Sequence, residues 1–158
     1  MRSRVALAAI LLAAAAPALA APRECRGALT GSVKGKFDCT VAVVEKEGAF
    51  YLVIDGKDPI DGVPGYAPGS FEIPERVEAR TYTLDTLGPG RATVAAEGGT
   101  LYTASKTSIQ RGEVTLTLTS VKKGGKAKGA YIVHGTYRAR LPPAGGGKSG
   151  EVTVEVEF

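Results

Sequence analysis

His134 is the only histidine in the 158-residue chain. One imidazole excludes two-His and three-His metal centres and leaves acyl transfer a single general base. The serines after residue 20 are Ser32, Ser70, Ser105, Ser108, Ser120 and Ser149. None of these stands in a Gly-x-Ser-x-Gly elbow, and none has the surroundings of a triad serine. The glycines fall at turns rather than between a strand and a helix, so no nucleotide-binding motif is present. A glycosidase carboxylate pair is assembled in space and leaves no linear trace, but a chain without tryptophan offers no evident sugar-stacking platform. Asp55, Asp58 and Asp61 recur every third residue, and several loop oxygens are what calcium asks for. The spacing departs from the EF-hand loop, whose ligands fall at every second position. Each of these aspartates also precedes Gly or Pro, where Asp is ordinary turn chemistry. Turn-forming aspartates are therefore the preferred reading, and a calcium-stabilised adhesion domain is kept as an alternative.

Cys25 and Cys39 are the only cysteines. With one histidine they have no partners for metal ligation, and a disulfide is the default for an exported chain, stapling an otherwise loose mature N-terminus to the first long strand. Export is expected because residues 1–20 read as a signal peptide. Arg2 and Arg4 form a basic start, Val5 to Ala16 is a short apolar run, and Ala18-Leu19-Ala20 is a cleavage site. The run is too short to span a bilayer comfortably. The mature chain, residues 21–158, is expected to be one secreted or periplasmic domain with no transmembrane segment. Pro22-Arg23-Glu24 before Cys25 is not a lipidation signal. Loss of Arg2 and Arg4 lowers the formal charge from +4 to +2, which argues against a nucleic-acid partner.

The frame that positions these residues is clearest near the carboxyl end. Three runs, 112–121, 130–141 and 151–158, alternate apolar and polar residues as half-buried strands do. Val114, Leu116 and Leu118 share a face opposite threonines. Val152, Val154, Val156 and Phe158 share another, as do Tyr131, Val133, Tyr137, Ala139 and Leu141. His134, Arg138 and Arg140 then point outward. Pairing inward positions across the 142–150 loop sets Leu141 opposite Val152, Ala139 opposite Val154, Tyr137 opposite Val156 and Arg138 opposite Glu155. Upstream, 35–55 reads as a hairpin. Its return strand Ala49–Ile54 is apolar on both faces, so the long 55–70 loop is expected to cover the second face. Phe71 and Ile73 begin an edge strand stopped by Pro74, Arg80–Leu84 is a short strand, Gly98-Gly99 signals a two-residue hairpin, and Ser108 to Arg111 is a turn into the Thr-rich strand. The four lysines of 122–129 are either an anionic-partner site or, the preferred reading, a solvated tip that discourages edge-to-edge pairing. No helix is expected after the signal.

The order of Arg80-Thr-Tyr-Thr-Leu84, Gly112-Glu-Val-Thr-Leu-Thr117, His134-Gly-Thr-Tyr-Arg-Ala-Arg-Leu141 and Val152-Thr-Val-Glu-Val-Glu-Phe158 resembles uncharacterised families of exported bacterial β-sandwich domains, many of them lipoproteins. The resemblance covers about the last half of the chain and implies a fold and an exported location. It brings no activity and no functional residues. The expectation is an all-β, antiparallel β-sandwich of about eight to ten strands, serving as a non-enzymatic module that binds a protein or envelope component through its loops. It needs no cofactor. A hydrolase using carboxylates assembled by the fold is the rival.

Overall fold

The computed structural model describes residues 22–124, 131–146 and 150–158. The signal-peptide reading of residues 1–20 and most of the lysine-rich connection lie outside them. Ten strands follow in chain order: β1 (Arg23–Gly31), β2 (Gly35–Lys46), β3 (Ala49–Gly56), β4 (Gly65–Ile73), β5 (Thr81–Thr83), β6 (Gly90–Ala95), β7 (Leu101–Ser105), β8 (Glu113–Lys123), β9 (Tyr131–Leu141) and β10 (Val152–Glu157). The fold is all-β and every pairing is antiparallel, as expected. The strands make one sheet in the order β5-β8-β9-β10-β1-β2-β3-β4-β6-β7.

That sheet is bent over on itself, so its two halves share one interior. Rings of Phe71 on β4 and Tyr137 on β9 face each other at 6.5 Å. The far edge also meets the chain just past β9: Thr103 N–H donates to Pro142 O at 3.0 Å, and Ala144 N–H donates to Leu101 O at 2.8 Å. Alternation in the sequence decides what points inward. Val114, Leu116 and Leu118, then Tyr137, Ala139 and Leu141, then Val152, Val154 and Val156 are all buried, and each removes apolar surface from water. The register of β9 with β10 follows the inward parity, with Leu141 opposite Val152, Tyr137 opposite Val156 and Arg138 opposite Glu155.

Three local expectations are corrected. The 55–70 segment is not a loop throughout, because Gly65–Ser70 belongs to β4, and β4 is no edge strand but lies between β3 and β6. Pro68 is accommodated where the β4–β6 register shifts between Ala67 and Ser70, a bulge at which the missing N–H is harmless. The outer face of β3 is not sealed by that segment either; Tyr51 and Val53 are left half-buried while Leu52 and Ile54 fill the core. Finally, Ala96 and Thr100 are bonded to each other, Ala96 N–H to Thr100 O at 2.9 Å. The β6–β7 loop therefore has three residues rather than two, with Gly98 and Gly99 at φ of 88° and 87°.

Residues 23–31, which the sequence presents as a loose leader to the first long strand, instead form β1 at the centre of the sheet between β10 and β2. Gly27 sits where no side chain fits. A Cβ there would lie 2.2 Å from the Phe37 ring, which fills that space from β2.

Candidate functional site

The connection from β7 to β8, residues 106–112, is a loop held open from below. Ser105 N–H donates to Arg111 O at 3.0 Å and closes its base. Thr107 N–H donates to Ser105 Oγ at 3.3 Å. Two basic side chains then tie it to the neighbouring 84–89 turn. Lys106 Nζ donates to Asp85 O at 3.1 Å and also to Leu87 O, and Arg111 Nη2 donates to Asp85 Oδ1 at 2.6 Å. Both sides of the loop are thus fastened to one turn. At its tip Ile109 is 91% exposed. Tethers at Lys106 and Arg111 restrict the backbone of the loop before any partner arrives, which lowers the cost of binding.

The sequence signal for this loop was weak. Residues 108–111 read only as a turn, and a single Ile among Ser, Gln and Arg carries no periodicity. Its exposure follows from tertiary bonds made by Lys106 and Arg111, which no local pattern reports.

The residues singled out by type are dispersed. His134 lies half-buried on the outer face of β9, where its Nε2 is 2.7 Å from Arg23 Nη1. The guanidinium is always a donor, so Nε2 accepts and the ring proton sits on Nδ1. Ser120 stands opposite His134 in the ladder, but the imidazole nitrogen that could activate a hydroxyl is engaged by Arg23. Asp55 lies in β3, whereas Asp58 and Asp61 occupy the turn beyond it, and all three are exposed. The Asp58 carbonyl accepts from Tyr66 Oη at 2.6 Å. Among the described residues no group of three or more His, Cys, Asp or Glu could hold a metal ion.

Cys25 and Cys39 are opposite one another in the β1–β2 ladder and joined as a disulfide, with Cα atoms 4.8 Å apart. Both are buried.

Carboxylates on the outer face are matched by cations rather than by one another. Arg138 pairs with Glu155 at 3.4 Å, and Arg140 pairs with both Glu113 at 2.7 Å and Glu151 at 3.5 Å. Across the middle of this face a shallow groove of about 510 Å³ runs over Ala28, walled by Arg26, Lys36, Arg138, Glu155 and Glu157. Its charges are mixed, which suits a solvated surface more than a selective anion or cation site.

No protein-family model, curated protein or solved structure matches the chain.

Proposed function

We propose that the protein is an exported, non-enzymatic β-sandwich module that binds a protein or another envelope component through its loops, in the periplasm or outside the cell. The observation carrying this reading is Ile109, 91% exposed at the tip of a loop fastened to the 84–89 turn by Lys106 and Arg111. Binding energy in protein interfaces concentrates in a few pre-positioned side chains that fill a partner's pocket. The signal-peptide reading of residues 1–20 and the buried Cys25–Cys39 disulfide support the exported location. The resemblance to exported bacterial domains agrees with it.

The test places a photo-crosslinking amino acid at position 109 and, as a control, at Thr115, which is exposed in mid-strand. Both are expressed from the full chain in the source organism. A discrete adduct from position 109 and none from position 115 is the expected result. Equal labelling from both positions, or none from either, would overturn the loop reading.

A further inference from the structure

Strand β8 is eleven residues long, but β5 covers only Thr115–Thr117 of it. Single bonds extend that cover by one step at each end, from Leu84 N–H to Val114 O and from Leu118 N–H to Arg80 O, both 3.0 Å. Beyond Leu118 the β8 ladder continues with β9 alone.

The direction of the uncovered backbone groups follows from β9. Gly135 N–H donates to Phe158 O at 2.8 Å, so residue 135 faces away from β8. By alternation Val133 and Tyr131 do the same. Their ladder partners, Val121 and Lys123, therefore turn their N–H and C=O away from β9, toward the open side. Among the described residues no backbone bond receives them.

The segment that leads into β5, residues 76–79, does not cover this edge. Tyr82 Oη accepts from Glu78 N–H at 3.0 Å and lies 3.3 Å from Arg76 O, so the 76–79 segment is pinned to the Tyr82 ring rather than to β8. A cleft of about 610 Å³ remains between them, lined by Val77, Ala79, Val121, Lys123 and Tyr131. Val77 is buried, and Val121 and Tyr131 are half-buried, so the floor is apolar. Its rim carries Lys123 and Arg76 against Glu78, all exposed, and Lys122 stands exposed on the other face of the same edge.

From this geometry we infer that the β8 edge at Val121–Lys123 receives an extended, acidic segment of a partner protein as an added strand. Main-chain bonds supply affinity in this mode, and the side chains facing the cleft supply selectivity. The lysines repel a second copy of the same edge, as edge lysines do, and attract a strand carrying carboxylates. The surface is separate from the Ile109 loop, so either can fail without the other.

The probe is a fluorescein-labelled, end-capped peptide of alternating Glu and Val, followed by anisotropy against the full mature chain. Two comparison peptides replace Glu by Lys or N-methylate alternate amides. Saturable binding of the Glu-Val peptide is expected. It should weaken as salt screens the charges and fall at least about tenfold for the Lys peptide, the N-methylated peptide and the K122E/K123E variant. Val121→Pro removes one free edge N–H and should abolish binding. If circular dichroism shows that variant unfolded, the N-methylated peptide on the unaltered chain decides instead. No saturable binding, or binding indifferent to N-methylation and charge, overturns the inference. So does a dimer in sedimentation that K122E/K123E alters, since the occupant would then be a second copy.

Discussion

The Tyr137 hydroxyl lies directly over the backbone of Gly69: a Cβ at position 69 would stand 2.6 Å from Oη. Tyr137 is 1% exposed, and its hydroxyl has no hydrogen-bond partner among the described residues. A buried, unpaired hydroxyl carries a desolvation penalty of about 1–3 kcal/mol. Tyr137→Phe is therefore expected to leave stability unchanged or raise it within that range, measured by urea denaturation. Gly69→Ala should destabilise by about 1–3 kcal/mol through overpacking. In the Tyr137→Phe background that loss should shrink in part, because Oη is gone while Cζ, 2.8 Å from the same Cβ, remains. A double-mutant cycle measures the coupling, and equal losses in both backgrounds would refute the contact.

Burial pushes the Tyr137 phenol far above its ordinary value of 10.0. The native state thus holds this proton after the unfolded chain has released it. The associated stability is fully present below about pH 10 and declines above it, by about 1.4 kcal/mol per pH unit. Tyr66 is also raised, chiefly by burial and then by the Asp58 charge, and contributes in the same direction. Alkaline unfolding should be cooperative and shift to higher pH in Tyr137→Phe. An ultraviolet phenol titration with all six tyrosines ionising near 10 in the folded state would contradict this.

Reducing the Cys25–Cys39 bond, or replacing both cysteines by alanine, opens a loop of sequence separation 14. A loss of about 3 kcal/mol is expected from the entropy returned to the unfolded chain, read as a lower urea midpoint. Loss of the β1–β10 ladder should follow first, visible as amide exchange at Arg26–Leu29, since the disulfide fastens the start of β1 to β2.

The Arg138–Glu155 pair is wet, with side chains 68% and 53% exposed. Removing both partners in a mutant cycle should yield a coupling under about 1 kcal/mol that fades with salt. It does little to choose the register: the observed ladder already sets Arg140 opposite Thr153, and same-parity neighbours would still set an arginine opposite a glutamate.

Ile109→Ser should leave the urea midpoint unchanged within about 0.5 kcal/mol, since the side chain is 91% exposed and packs on nothing. The same change should remove any adduct formed through the loop.

How far the sequence foretold this structure depended on which rule was local. Val152, Val154, Val156 and Phe158 reveal both strand and register, because a one-residue slip would turn all four into water. The disulfide was legible from a pair of cysteines and the expectation of export. Gly65, Pro68 and Gly69 disguised β4 as loop: the proline is tolerated only at a bulge, and the glycine is demanded only by Tyr137, a residue 68 positions away in the chain. Gly27 misled in the same way, being cleared for a ring on another strand. The Ile109 loop and the open β8 edge were illegible for a related reason. One depends on Lys106 and Arg111 reaching Asp85 and Leu87, the other on Tyr82 diverting residues 76–79, and neither leaves a mark on neighbouring sequence.

The placement of β1 between β10 and β2 has a temporal consequence. Arg26 faces Glu157 in the ladder, so the middle of the sheet is a seam between the two segments furthest apart along the polypeptide. A chain emerging amino-end first from a ribosome or a channel must hold Arg23–Gly31 with one flank unzipped until Val152–Glu157 arrives. Assembly is then slow, as non-local pairing generally is, and the last stitch is placed in the centre of the fabric rather than at its hem.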